Sequence, residues 1–204
     1  GSPMRRLIES GAVQGKNFVQ VGLRGYFPDR ETLDWMQGHG MRTHLMTEIE
    51  ERGAEAVIRD AIAEALDGPD AVWISVDIDV VDPGLAPGTG TPEPGGMLTR
   101  ELLRALRQIA ARVPIAGMDI LEVSPPYDWA ESTAMIANRA ALEVISSLAK
   151  RKAAGWRNSR NPCPPRASSS PSTNRSPSSR NRSALASASS ATTPASRTWP
   201  QPSA

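Results

Sequence analysis

Two aspartates, Asp77 and Asp79, interrupt an apolar stretch that runs from residue 71 to residue 81. Successive side chains of a strand point to opposite faces, so residues two apart share a face. A strand here would therefore project both carboxylates into one small volume near its carboxyl end. The surrounding side chains are mostly β-branched or aromatic, which predicts a buried β-strand: Ala71, Val72, Trp73, Ile74, Val76, Ile78, Val80 and Val81.

Two neighbouring carboxylates repel each other and lose hydration when buried, so they need a compensating partner. Asp77 and Asp79 allow two interpretations. A hard divalent cation such as Mg²⁺ or Mn²⁺ is well matched by oxygen ligands. Alternatively, the strand ends in solvent and both acids are merely hydrated. The pair by itself favours hydration, and the residues that follow it change that preference.

A proline- and glycine-rich loop follows the strand. Pro83 ends the strand because proline has no N–H to donate and restricts the residue before it, Asp82. Residues 87–92 read Pro-Gly-Thr-Gly-Thr-Pro and predict a rigid loop at the carboxyl end of the strand. In open α/β sheets, ligands bind at this edge. The loop therefore favours a ligand site beside the aspartates.

A second buried strand is predicted from Pro114 to Val123, and Ser124-Pro125-Pro126 ends it abruptly. Glu122 lies near its carboxyl end, where it is expected to face the same edge of the sheet as the aspartate pair. Asp119 has two interpretations, a role near the ligand site or a structural hydrogen bond, and the structural one is favoured. Asp128 is expected to cap the helix that follows.

Strand and helix patterns alternate along residues 4–150, which predicts a mostly parallel sheet covered by helices on both faces. Thr47 is the expected N-cap of one helix, with Glu50 three residues later. Besides the two strands above, the segments are helices over 4–10, 30–38, 47–66, 99–112 and about 130–150, and strands over 17–23 and 41–46.

The aspartate motif and its loop resemble the signature of the arginase and agmatinase family of ureohydrolases, in which SxDxDxxDP runs into PGTGTPxPGG. The Glu-Val-Ser-Pro-Pro-Tyr-Asp string at 122–128 resembles that family's second motif. About 150 residues are similar, and bacterial agmatinases are the most similar group. The resemblance implies a three-layer α/β/α fold with a mostly parallel sheet, of which residues 1–152 are the C-terminal part and the N-terminal part is missing.

By the same resemblance, Asp77 and Asp79 are metal ligands in a centre of two Mn²⁺ ions. Glu122 is the catalytic carboxylate that binds the substrate's guanidinium group. The implied reaction splits agmatine into urea and putrescine. The alternatives are a guanidinobutyrase, another guanidino-acid hydrolase, or a truncated fragment that is at most a non-catalytic subunit. A complete protein of this kind is expected to form homotrimers or hexamers in the cytoplasm, without a nucleic-acid or membrane partner.

Two metal-binding strings of the family, GGDH and DAHxD, do not occur in these 204 residues. The chain contains two histidines, His39 and His44, and neither has such neighbours. Both are expected to be structural or solvent-facing. This chain alone is therefore expected to be a poor catalyst.

Residues 153–204 have a different composition from the rest. They contain seven arginines and no aspartate, glutamate or lysine, although the whole chain carries 22 acidic residues. Serine, proline and arginine dominate, and too little apolar surface is present to offset the entropy of ordering. This tail is expected to be disordered, and its composition is also that of a GC-rich gene read out of frame. The single cysteine, Cys163, lies there, so no disulfide framework is possible.

Overall fold

A five-stranded parallel sheet organises the chain. The computed structural model describes residues 2–26, 28–153 and 183–188. The strands follow the order β2-β1-β5-β3-β4 across the sheet, and all four neighbouring pairs are parallel. Their bounds are β1 Phe18–Leu23, β2 Arg42–Leu45, β3 Ala71–Asp77, β4 Ile115–Leu121 and β5 Ser183–Ala188.

The helices between the strands agree largely with the helical spacing in the sequence. Helix α2 begins where Asp29 accepts a 2.8 Å hydrogen bond from the Thr32 amide, which satisfies one donor of its first turn. Among the helices in the described part of the chain, none is long and apolar enough to cross a membrane. The bounds are α1 Ser2–Glu9, α2 Arg30–Gly38, α3 Met46–Arg52, α4 Ala54–Ala65, α5 Thr99–Arg112 and α6 Ser132–Ala153.

Two hydrophobic clusters lie on opposite faces of β1. Val19 and Val21 belong to the larger cluster, which also includes buried side chains of α4, α5 and β3. Phe18 points the other way and packs with Ile8 of α1, with partly buried Trp35 of α2 against it. Because alternate strand residues face opposite sides, this arrangement gives a sheet with helices on both faces. The predicted three-layer α/β/α architecture is confirmed.

The helix predicted over 47–66 is wrong as one element, because it is two helices separated at Gly53. Gly53 has a φ of 80°, a left-handed conformation that glycine adopts without steric cost. The predicted cap is also wrong, since Thr47 lies inside α3, whose N-cap position is Leu45. The helical spacing of apolar residues continues across Gly53 because α3 and α4 each bury one apolar side.

Strand β4 was predicted to be buried, and this is wrong. Its residues are mostly half-buried, and Leu121 is exposed, because β4 lies at the edge of the described sheet. The apolar sequence predicts a strand here, but it does not predict how many neighbouring strands pair with it.

Strand β5 departs from the expectation of a disordered tail. Ser183–Ala188 lies between β1 and β3, with Ala186 opposite Val19 on one side and Ile74 on the other. A strand in this place satisfies backbone groups along both neighbours, a gain that does not depend on local propensity. Residues 154–182 and 189–204, including Cys163, lie outside the described residues, and disorder there stays a prediction.

Replacing Ala186 by proline should destabilise the sheet. Proline removes one ladder donor and leaves a buried carbonyl without its partner, at a cost of roughly 1–3 kcal/mol. Urea denaturation followed by circular dichroism measures the change. Ser178→Pro, in the same tail but outside the strand, is the matched control, and an equal effect of both changes would contradict the central position of β5.

Candidate metal centre

Asp77 and Asp79 lie at the carboxyl end of β3, although not on one straight strand as predicted. Asp77 is the last residue of β3, and Asp79 belongs to a 3₁₀ turn over Ile78–Val80. Asp79 is buried, with 1% of its surface exposed. Its Oδ2 accepts a 2.8 Å hydrogen bond from the hydroxyl of Thr91 in the loop. The turn thus places the second carboxylate in the interior beside the first.

Several acids lie close to Asp77 near the carboxyl ends of β3 and β4, and this corner of the sheet changes the electrostatics of Asp77. Burial, first, and then the charges of Asp79, Glu122 and Asp119 raise the pKa of Asp77 to about 7. Asp77 and Asp119 lie on β3 and β4, which are direct neighbours, and Asp79 and Glu122 follow shortly after the ends of these strands. Asp79 and Glu122 therefore both lie near enough to Asp77 for their charges to act on it.

Glu122 follows the last residue of β4 in a constrained backbone conformation. Its φ of 66° is left-handed, which is uncommon for a residue with a Cβ. Such conformations cost about 1–3 kcal/mol and cluster at functional sites. The side chain is exposed rather than packed. This turn of the backbone places an accessible carboxylate at the edge of the sheet where β3 ends with Asp77.

Asp82 closes the base of the loop that follows the aspartates. Its two carboxylate oxygens accept hydrogen bonds from the amides of Gly84, Gly95 and Gly96 at 2.9, 2.9 and 3.2 Å. The bond from Gly84 contributes most, and with the other two it lowers the pKa of Asp82. A Cβ at Gly96 would lie 2.5 Å from the Asp82 amide nitrogen, so glycine is required there. The loop is therefore held closed at both ends.

The far side of the loop is joined to the second motif. The amide of Gly88 donates to the Thr133 hydroxyl at 2.8 Å, and its carbonyl accepts from Ser124 at 2.8 Å. Thr89 forms an antiparallel bridge with Val123, next to Glu122. The loop thus connects the aspartate pair of β3 with the glutamate after β4.

Asp128 caps α6, as predicted. Its carboxylate accepts from the amides of Thr133 at 3.0 Å and Ala134 at 2.8 Å. These bonds lower the pKa of Asp128, against the opposing effect of burial. The cap fixes the start of α6, and through Thr133 it fixes the loop at Gly88.

Asp119 has the structural bond that was favoured for it. Its Oδ2 accepts a 2.8 Å hydrogen bond from the indole of Trp73 on β3. Its other oxygen, Oδ1, is buried without a hydrogen-bond partner among the described residues. A buried carboxylate oxygen in this state adds to the negative character of the corner.

Neither histidine offers a ring nitrogen to the aspartates. His44 is buried, and its two ring nitrogens lie 3.0 Å from carboxylate oxygens of Glu48 and Glu64. His39 is exposed and bonds to the Trp35 carbonyl at the end of α2. The prediction that both are structural or solvent-facing agrees with these contacts.

The donor set fits part of a site for a hard divalent cation. Buried, mutually repelling carboxylates are what a cation would stabilise, and Asp77 and Asp79 have the right oxygen chemistry. Within the described ranges, however, no group of three or more histidine, cysteine or acidic side chains is arranged to hold a metal ion. The chain supplies two carboxylates toward such a centre rather than a complete set.

Sequence reasoning missed two residues of this corner, Arg24 and Thr91. Arg24 follows β1 and donates to main-chain oxygens of the Asp79 turn and of the loop. A single arginine directly after a buried strand, at the ligand-binding edge of the sheet, is a signal that could have identified it. Thr91 belonged to the recognised loop, but its contact with Asp79 depends on how the loop folds back.

A family model described as "Arginase family" matches residues 1–146. The chain belongs to the arginase family. Proclavaminate amidinohydrolase from Streptomyces clavuligerus is 41% identical over 150 residues, which cover 74% of this chain and 47% of that protein. Guanidinopropionase from Pseudomonas aeruginosa is 39% identical over 155 residues, which cover 74% of this chain and 46% of that protein.

The crystal structure of formimidoylglutamase from Bacillus subtilis is similar to this arginase-family chain, with a TM-score of 0.69 and 32% identity. The similarity covers 72% of this chain and 46% of that one. The chain therefore spans about half the length of the relatives that it matches, and the predicted arginase-like fold is confirmed for that part.

Asp77→Asn should stabilise the metal-free protein at neutral and alkaline pH. In the unfolded chain Asp77 loses its proton near 3.8, whereas in the folded chain it keeps the proton up to about pH 7. The free energy of unfolding of the wild type therefore falls as pH rises through this window, by up to roughly 4 kcal/mol. The asparagine side chain of the variant carries no charge at any of these pH values, so the variant does not lose this stability.

Urea denaturation in EDTA at about pH 5 and about pH 8 measures this effect as the difference between variant and wild type. Glu51→Gln, the same kind of change on the exposed surface, is the control. If the two variants had the same pH dependence, the crowding of charge at Asp77 would be disproved.

Proposed function

We propose that this chain contributes the Asp77, Asp79 and Glu122 part of a Mn²⁺-dependent site that hydrolyses a guanidino compound to urea and an amine. The observation that carries the proposal is the placement of these acids: Asp77 ends β3, Asp79 is buried in the turn directly after it, and Glu122 follows the neighbouring strand β4. A metal ion and a cationic substrate would both supply positive charge that compensates these carboxylates. Family membership supports the same reaction class.

The three carboxylates would have different tasks. Asp77 and Asp79 are buried or half-buried and suit metal coordination through oxygen. Glu122 is exposed at the turn after β4, where it can accept paired N–H bonds from a planar guanidinium. When bound, Mn²⁺ supplies Lewis-acid activation of water and of the substrate. Thr91, through its bond to Asp79 Oδ2, orients that carboxylate.

Agmatine is the first candidate substrate, because the motifs at 75–96 and 122–128 resemble those of bacterial agmatinases. An ω-guanidino acid is the second. Guanidinopropionase is 39% identical to this chain, whereas an agmatinase from Chromobacterium violaceum is 33% identical. A guanidino acid carries a carboxylate where agmatine carries an ammonium, so the two classes differ in charge at the end remote from the reacting carbon.

The relatives are about twice as long as the part of them that this chain matches. Because the chain spans about half of its relatives, the other half would supply the remaining metal ligands. A homo-oligomer in the cytoplasm, trimeric or hexameric, stays a prediction for the complete protein. By itself, the chain is expected to bind fewer than two Mn²⁺ ions and to release little urea.

Two preparations test the proposal: the 204-residue chain, and residues 1–153 joined to the part of the Streptomyces clavuligerus relative that they do not match. In the joined protein, Asp77→Asn or Asp79→Asn should abolish metal loading and lower urea release by about 100-fold or more. Glu122→Gln should lower kcat/KM with the metal retained, because it removes a substrate contact. Urea release is assayed with agmatine, guanidinopropionate and guanidinobutyrate, and bound Mn²⁺ by elemental analysis.

Asp70→Asn is the matched control, since this exposed acid lies at the amino end of the same strand, away from the site. Near-normal urea release in all three site variants would refute the assignment of Asp77, Asp79 and Glu122. Two tightly bound ions and rapid turnover in the 204-residue chain would instead show that no second half is needed.

A further inference from the structure

Arg24 contacts two separate pieces of backbone at the edge of the sheet, the turn at Asp79 and Val80 and the end of the loop at Glu93 and Pro94. Its guanidinium donates to the carbonyl of Asp79 at 2.7 Å from Nη2. Nε donates to the carbonyls of Glu93 and Pro94 at 2.9 and 3.1 Å, and Nη2 also bonds to Glu93. A longer contact of 3.5 Å reaches the Val80 carbonyl. One side chain thus contacts the 3₁₀ turn and the end of the loop at once.

These contacts would be difficult for another side chain to reproduce. A planar guanidinium presents five donors in a fixed fork, whereas lysine offers donors from a single point. The acceptors are main-chain oxygens separated by more than ten residues of sequence, in the 79–80 turn and at 93–94. Only the folded arrangement of β1, β3 and the loop brings them to one place.

The position of Arg24 also matters for charge. The side chain is partly withdrawn from water, and burial lowers its pKa, while the acids Asp79, Glu93 and Asp82 act in the opposite direction. Next to it, Gly25 has a φ of 81°, and a Cβ there would lie 3.1 Å from the Glu93 carboxyl carbon. The chain after β1 is therefore fitted closely to the loop.

We propose that Arg24 is a positioning residue that fixes the Asp79 turn and the 87–96 loop against each other, and so sets the orientation of the Asp79 carboxylate. The coupling passes through the backbone to Asp79 and through the loop to Thr91, whose hydroxyl bonds to Asp79 Oδ2 at 2.8 Å. The consequence for metal affinity rests on the proposed function, whereas the restraint of the loop does not.

Arg151 provides a matched control for a purely structural arginine. Its Nη1 donates to the carbonyls of Ala110, at 2.6 Å, and Val113 near the end of α5. It is also a partly buried arginine that holds main-chain oxygens, but these oxygens are remote from the aspartates in sequence. Arg24→Met and Arg151→Met therefore remove the same kind of contact at two different places.

Hydrogen exchange measured by mass spectrometry on the full 204-residue chain, without metal, tests the restraint directly. Arg24→Met should speed exchange in peptides covering residues 78–98 by about tenfold or more, because several charge-assisted bonds are lost. Arg151→Met should leave these peptides unchanged and act near residues 110–113. Arg24→Lys should be intermediate, since it keeps the charge but not the fork.

Titration of the joined protein and its variants with Mn²⁺, followed by electron paramagnetic resonance, then tests the link to the metal. Arg24→Met should weaken Mn²⁺ binding by about 10- to 100-fold relative to Arg151→Met. Unchanged exchange over residues 78–98 in Arg24→Met, or a uniform increase along the chain, would overturn the positioning role. Faster exchange confined to that segment, with equal Mn²⁺ affinities, would overturn the link to the metal. Absence of Mn²⁺ binding in the wild type would count against the proposed function, while exchange would still decide the role of Arg24.

Discussion

The burial of two like charges at the end of β3 is the constraint on which this corner of the molecule depends. Asp79 is almost inaccessible to water, and the neighbouring acids oppose ionisation of Asp77. Such an arrangement costs stability unless positive charge or hydrogen-bond donors compensate it. The Thr91 hydroxyl and the Arg24 guanidinium supply part of this compensation within the chain. The remaining imbalance is what a bound cation would offset.

The loop after β3 acts as the scaffold of the site because it is tied down at several points. Asp82 holds its two ends together, and Gly88 joins it to the start of α6. The bridge between Thr89 and Val123 then places it against the residue next to Glu122. Since the carboxylates belong to neighbouring strands and a shared loop, a shift of any of these elements would change their relative orientation.

The part of the family domain found here has a coherent hydrophobic core. Residues 1–146 match the arginase family, and they correspond to less than half of the relatives' length. Two features of the structure agree with this partial extent: β4 is a half-exposed edge strand, and the gap between β1 and β3 is filled by Ser183–Ala188, from outside the matched range. The facing edges of β1 and β3 carry backbone N–H and C=O groups that need hydrogen-bond partners, and Ser183–Ala188 provides them.

The sequence alone determined the fold class, the existence of the two strands that carry the acids, and the loop that follows the first of them, because these depend on local periodicity and on contiguous motifs. It placed the ends of both strands too late, since β3 ends at Asp77 and β4 at Leu121. It could not determine the break at Gly53, the 3₁₀ turn that carries Asp79, or the left-handed backbone of Glu122. The turn and the backbone of Glu122 adjoin contacts between residues far apart in the chain, whereas the break at Gly53 depends on one backbone conformation that periodicity does not record. The contacts of Arg24 with the Asp79 turn and the loop were likewise decided only by tertiary structure, since a periodic pattern records which face a residue occupies but not which distant carbonyl its side chain meets.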